Sequence, residues 1–243
     1  MDDRFTVSSR AESPRARRVA FFGGSFDPPH RGHVAVARAA LQALALDQVI
    51  FAPVALQPLK MHGPASGASF ADRVEMTRLA IRGEARFSVS LADSPNPTGR
   101  PNYTVETLTQ LRAALGPHDQ LFLMLGADAF RLLPRWHRAP ELLTLAGLIV
   151  VARPGEDLSD PGRYLPAGWT LAGQADENAN PDVNGYRVFS ASGAKSSLQW
   201  LPGLQHEVSA TRLRESIHGS ADPAQDLLDP AVLDYIHTHG LYR

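Results

Sequence analysis

The sequence predicts an α/β fold, a doubly wound parallel sheet with helices on both faces. Short β-branched and aromatic runs alternate with stretches of helical periodicity from Val19 to Ala152. The first of these runs breaks at Gly23 and Gly24 and re-emerges as a helix, the order in which a βαβ unit opens. With 243 residues and 44% hydrophobic content, the chain is ample for a full core.

Residues Met1 to Arg18, MDDRFTVSSRAESPRARR, are polar and carry no apolar segment of the signal-peptide kind. They read as a disordered tail (1–18) ahead of a single domain (19–243). Val19 to Phe22 fits a short buried strand, and Pro28 and Pro29 stiffen the turn behind the two glycines. Val34, Ala37, Leu41 and Leu44 then recur at helical spacing, so a helix starts at or near Gly32. Asp47 to Val54 (DQVIFAPV) is the second parallel strand, followed by a loop from Ala55 to Gly67. That loop carries Lys60 just beyond a strand's carboxyl end, where open α/β sheets bind ligands, although a solvated loop lysine is the plain alternative.

Ser69 to Asp72 (SFAD) is a capping box opening a helix that runs through Ile81. Phe87 to Leu91 alternates as a strand, and Asp93 to Pro101 is proline-rich punctuation. PNYTVETLTQLRAAL starts another helix, with Leu108, Leu111 and Leu115 on its buried side and Thr104 at its mouth, a position where threonine often serves as a cap. Gln120 to Leu125 is a continuous buried strand that delivers Gly126 and Asp128, and an acid there also suits a helix N-terminus. Trp136 lies in a basic loop, LPRWHR, with His137 beside it, and such a ring can stack on a flat heterocycle. Gly147 to Ala152 is one more parallel strand. From Glu156 to about Gln205 the pattern weakens, with one plausible strand at Tyr186 to Ser190. Ser209 is a natural N-cap for a helix burying Leu213 and Ile217, and Asp229, Pro230 and Gly240 bound the last helix.

Several classes of function are excluded or disfavoured. A formal net charge of −1 argues against a nonspecific nucleic-acid binder. No apolar run reaches membrane-spanning length, and the lack of an export signal favours the cytosol. Zero cysteines exclude disulfides, thiolate catalysis and cysteine zinc sites. The string after the first strand lacks the GK[ST] ending of a P-loop.

What that string does offer is an anion site. Free backbone N–H groups, the positive end of a helix dipole and the imidazoles of His30 and His33 converge on one point, which suits a phosphate. Metal ligation is the other reading of two histidines, but a helical pair more usually needs i, i+4 spacing and a third ligand.

The whole string GGSFDPPHRGH closely resembles the GG[ST]FDPxHxGH signature of the nucleotidyltransferase superfamily with the HxGH motif. The resemblance spans roughly Val19 to the C-terminus and implies the Rossmann-like nucleotidyltransferase fold, in the branch of bacterial nicotinate-nucleotide adenylyltransferases. These join ATP and nicotinate mononucleotide into the deamido dinucleotide with release of pyrophosphate, in NAD biosynthesis. It implies His30, His33 and Lys60 at the reacting phosphates, Lys60 because QPLK keeps the proline and lysine of the family's PPHK while Leu59 replaces its histidine. It further implies Gly23, Gly24, Ser25 and Phe26 along the phosphate path, and Gly126 and Asp128, in the family's GxD, on the adenosine side. Ser209, Thr211 and Arg214 match ISxTxxR, which holds the outer phosphates. Thr104, Trp136 and His137 fall to the mononucleotide, with Trp136 stacked on the pyridine ring, and RPG from Arg153 and the closing GLYR also match. Mg2+ would bridge phosphate oxygens and need few protein ligands. The rivals are a sister transferase using nicotinamide mononucleotide or phosphopantetheine, and a nucleotide-binding regulator without turnover.

Overall fold

A computed structural model describes residues 15–56, 67–152, 160–174, 184–201, 210–218 and 224–242. Strand β1 (Arg18–Gly24) leads through the histidine-bearing turn into α1 (Arg31–Ala43) and β2 (Gln48–Pro53). Helix α2 (Phe70–Ala80) and β3 (Phe87–Val89) follow, then α3 (Thr104–Ala114), β4 (Gln120–Gly126), the short α4 (Ala127–Arg131), α5 (Ala139–Leu145) and β5 (Gly147–Val151). Beyond lie β6 (Trp169–Gln174), β7 (Asn184–Ser190), β8 (Lys195–Leu201), α6 (Ala210–His218), α7 (Ala224–Leu227) and α8 (Pro230–His239).

The strands form one eight-stranded sheet in the order β3-β2-β1-β4-β5-β8-β7-β6. From β3 to β8 every pairing is parallel, and β7 and β6 continue the sheet antiparallel. Alternation along the strands divides the core by face. Phe21, Ile50, Leu123 and Val150 pack against Val105, Leu108 and Leu111 of α3 and Leu142 of α5. Phe22, Phe51, Met124 and Ile149 pack against Val34, Ala37 and Leu41 of α1. Each such side chain contributes roughly 1.5–3 kcal/mol by leaving water, so the two buried faces hold the ends of these strands in register. A third cluster joins Met76 of α2 to Leu213 of α6 and Val232 and Ile236 of α8, and it seats the C-terminal helices beside the first half of the sheet.

The sequence places two of these strands outside its pattern. Both β6 and β8 fall in the stretch expected to be irregular, and β7 begins at Asn184 rather than Tyr186. In β8 only Leu198, Trp200 and Leu201 are buried among polar neighbours, and β6 carries Gly173 at φ 75 beside a register shift. Period-two alternation is blurred in such strands, and pairing with β5 rather than composition makes β8 a strand.

The tail boundary also moves. Arg18 already belongs to β1, Arg17 donates to the Asp119 carboxylate at 2.6 Å, and Arg15 to Asp47 at 3.0 Å, so long-range ion pairs order residues that read locally as tail. The capping box at Ser69 and Asp72 forms as expected. At α3 the residue in the N-cap position is Tyr103, no side chain caps the helix, and Thr104 is its first helical residue rather than its cap.

Candidate functional site

Connections run from β1 toward β2 and β3 on one side and from β4 toward β5 on the other, so a crevice opens where β1 and β4 lie side by side. Into it point the turn after β1 and the starts of α1, α3 and α4.

Packing shapes the turn after β1. A Cβ on Gly24 would stand 3.1 Å from the Phe26 ring, and one on Gly23 3.2 Å from Phe21, so both glycines admit aromatic rings that close over the strand end. Phe26 sits at φ 48, and its buried ring meets Phe22 edge-on at 5.5 Å and His33 at 5.0 Å. Phe26 can therefore offer a ligand its backbone but not its ring. The next residue, Asp27, precedes a cis peptide to Pro28 and is buried.

The two histidines close the start of α1 on each other. His33 N–H donates to Nδ1 of His30 at 3.3 Å, and His30 N–H donates to Nδ1 of His33 at 3.2 Å. Their rings stack with centroids 3.6 Å apart. Because each Nδ1 accepts, the neutral ring carries its proton on Nε2. Burial pushes His30 down to about 4, and burial together with its neighbour His30 holds His33 well below the ordinary histidine range. At neutral pH the pair is thus two fixed, uncharged donors.

Arg73, Asp27 and Tyr242, buried polar groups that are not among the predicted site residues, hold this turn in place together with the predicted Arg214. Arg73 of α2 donates through Nη1 to the Ser25 carbonyl at 2.6 Å and to the Val54 carbonyl at 2.8 Å, tying the turn to the end of β2. Asp27 accepts a hydrogen bond from the Tyr242 hydroxyl, and burial together with Asp27 raises that phenol far above its usual range. Arg214 of α6 donates to the Asp27 carbonyl at 2.6 Å, with Nη1 3.9 Å from the carboxylate. Arg214 therefore stands at the histidine-bearing turn.

On the other side of the crevice lies a cleft of about 320 Å³. Gly23 and Gly24 form one wall, and Tyr103, Thr104, Trp136 and His137 another. The Tyr103 and His137 rings lie 4.2 Å apart, and Trp136 packs against the core with one part. Asp93 and Asn102 also line the cleft. Asp93 is 4% exposed, accepts a short hydrogen bond from the Thr107 hydroxyl, and is pushed up to about 6 by burial against the pull of that bond.

At the end of β4, a Cβ on Gly126 would meet nothing within 4 Å, so the space beside it is open. Asp128, in the first turn of α4, is exposed and pairs with Arg131 at 3.2 Å. The structure thus brings Gly23, Gly24, Ser25, Phe26, His30, His33, Thr104, Trp136, His137, Gly126, Asp128 and Arg214 to the elements that border one crevice. Lys60, the RPG at Arg153, Ser209 and the side chain of Thr211 lie outside the described residues. Of the groups beyond prediction, Arg73 leaves the clearest trace in sequence, a cation on the face of α2 that also buries Val74 and Thr77. Tyr242 is marked only by the closing GLYR.

The cytidylyltransferase-like family model matches residues 21–216. A Gloeobacter violaceus protein named probable nicotinate-nucleotide adenylyltransferase is 38% identical over 226 residues, covering 93% of this chain and 96% of the relative. A Chromobacterium violaceum protein of the same name is 39% identical, covering 93% of this chain and 99% of its own length. The chain belongs to the nicotinate-nucleotide adenylyltransferase family. In fold, this member of the family is similar to the Plasmodium falciparum nicotinic acid mononucleotide adenylyltransferase complexed with NaAD, with a TM-score of 0.66 at 16% identity over 93% of this chain and 97% of that one. The nucleotidyltransferase fold expected for the family is therefore present. No helix among the described residues is long and apolar enough to cross a membrane.

Proposed function

We propose that the chain transfers the adenylyl group of ATP to nicotinate mononucleotide, giving the deamido dinucleotide and pyrophosphate. The observation that carries this reading is the reciprocal histidine cap at the start of α1, which leaves two Nε2–H donors fixed at the phosphate turn, across from a cleft walled by Trp136, Tyr103 and His137. Family membership supports the choice of both substrates.

The mononucleotide phosphate is already an oxyanion at neutral pH, its second pKa lying near 6, so the reaction needs no nucleophilic side chain and no dedicated base. An oxygen of that phosphate forms a bond to the α-phosphorus of ATP, the bond from that phosphorus to the β-bridging oxygen breaks, and pyrophosphate leaves with the electron pair. The protein's work is to align the two phosphates and to stabilise charge that grows on the α-phosphate and leaving oxygens. His30 and His33 would donate from Nε2 to those oxygens, helped by Lys60 and by backbone N–H groups at Gly24, Ser25 and Phe26. Neutral donors suit this role, because a preformed imidazolium would bind the ground-state polyphosphate tightly, whereas a dipole favours charge as it develops. Ser209, Thr211 and Arg214 would hold the outer phosphates, and Arg214, bonded to the Asp27 carbonyl, would bring that grip to the same turn. Gly126, with open space beside it, and Asp128 would border the adenosine ribose. Thr104, Trp136 and His137 would receive the pyridine ring.

Among the described residues no cluster of three or more His, Asp or Glu side chains is arranged to hold a metal ion. The family resemblance implies Mg2+, which would neutralise charge on the substrate phosphates. Release of pyrophosphate on mixing the purified chain with ATP and nicotinate mononucleotide tests the proposal. Turnover with phosphopantetheine instead, or no release with any mononucleotide, would replace it.

A further inference from the structure

One buried ionisable group in the crevice has no part in the chemistry above. Asp93 lies in the segment between β3 and α3, and its backbone is anchored where its carbonyl accepts the Ala55 N–H at 2.9 Å, just beyond the end of β2. One carboxylate oxygen accepts from Thr107. Among the described residues no arginine, lysine or histidine pairs with the group, yet it is 4% exposed and lines the cleft that Trp136 and Tyr103 also line. Burying a carboxylate is costly unless it is paired, and one that borders a cleft can be paired there by a ligand of positive charge.

The ring of a pyridine mononucleotide carries that charge. Its nitrogen is bonded to the ribose and is therefore a fixed cation at every pH, and the ring is flat. We infer that Asp93, together with the face of Trp136, forms a recognition site for the pyridinium ring of the mononucleotide, a binding role that deepens and rests on the functional reading above. The two parts act by separate physics. An indole face attracts a cation through its quadrupole and stacks on any flat ring, whereas the carboxylate distinguishes a charged ring from a neutral one of the same shape. Coulombic attraction in a cleft with little water is several times stronger than in bulk solvent. Burial pushes Asp93 up to about 6, and a fixed cation beside it would favour the ionised form.

The test compares nicotinate mononucleotide with its uncharged isostere, in which a benzoate ring is joined through carbon to the same ribose 5′-phosphate. Both keep the attacking phosphate, the sugar and the ring carboxylate, so kcat/KM with saturating ATP can be measured for each. The full-length chain should favour the pyridinium compound tenfold or more. In Asp93→Asn, which keeps an acceptor for Thr107, that preference should fall to within twofold through a rise in KM for the pyridinium substrate, with the KM for ATP unchanged. Thr107→Val removes the hydrogen-bond partner but not the charge, and should retain the preference. Equal efficiency of the two compounds in the unaltered chain overturns the inference whether or not the Asp93 variant folds. An equal loss with both compounds in Asp93→Asn also overturns it, because that outcome marks a packing role. A chain that adenylylates neither compound sinks the functional reading and this inference with it, whereas the other failures leave adenylyl transfer standing.

Discussion

Two helices, α1 and α3, begin at the same crevice, and their first turns are built in opposite ways. At α1 the side chains of His30 and His33 accept each other's backbone N–H groups, so the helix start is closed by imidazoles. At α3 the N-cap position is held by Tyr103 and no side chain closes the turn. Under the proposed function, the cap of α1 would itself be the reactive equipment. By holding Nδ1 of each ring on the backbone, α1 fixes the tautomer and orientation of two donors with no further residue, and burial keeps both uncharged. The open start of α3 instead has no side-chain cap, and in the proposed function its donors, with the rings and the carboxylate around it, would select the ligand. In this reading one end of the crevice would serve rate and the other choice.

The sharpest way to break this contrast is to remove a donor at the α1 end. His33→Ala should lower kcat by a hundredfold or more, since one lost transition-state donor costs on the order of 3 kcal/mol. The same substitution removes one half of the cap and should cost about 1 kcal/mol of stability. Near-normal turnover, read from pyrophosphate release, would remove His33 from the reaction.

At the α3 end the expected effect is on choice rather than rate. Uncapped N–H groups favour a carboxylate, because charge-assisted hydrogen bonds are roughly twice as strong as neutral ones, and an amide brings donors that meet donors. Nicotinate mononucleotide should surpass nicotinamide mononucleotide in kcat/KM by roughly thirtyfold to a hundredfold, a mismatch of about 2–3 kcal/mol. Equal efficiency would show that the open helix start does not select.

The smallest effect concerns stability. Burial holds His30 at about 4 in the folded chain against 6.5 as its ordinary value, so between these pH values the unfolded chain binds more protons. The contribution is fully present above 6.5 and is lost as pH falls toward 4. Lowering the pH from 7.5 to 5.5 should cost about 1 kcal/mol through His30, and His30→Asn, which keeps a capping acceptor but does not titrate, should remove that share of the slope. Denaturant unfolding at the two pH values measures it, and identical slopes in both chains would show that the cap does not hold His30 neutral.

The parts of this protein that were legible from residues alone are those set by short-range patterns. Val19 to Phe22, Gln120 to Leu125 and the α1 spacing of Val34, Ala37 and Leu41 are local, and so is the GGSFDPPHRGH string that marks the phosphate turn. The Ser69–Asp72 cap is equally local, because both partners lie on one turn of chain. Tertiary structure decided what local patterns do not encode. Strand β8 exists because β5 offers it an edge, and Arg15 and Arg17 are ordered by Asp47 and Asp119 far along the chain. Tyr242 meets Asp27, Arg214 meets the same residue from α6, and Arg73 reaches Ser25 and Val54 only once α2 and α8 have packed on the sheet. Asp93 reads as part of a proline-rich turn and becomes a buried carboxylate only when β2, α3 and the loop before Trp136 close around one cleft. Burial of a polar group is a property of everything packed against it, and the partners that make it tolerable lie at separations no sequence period spans.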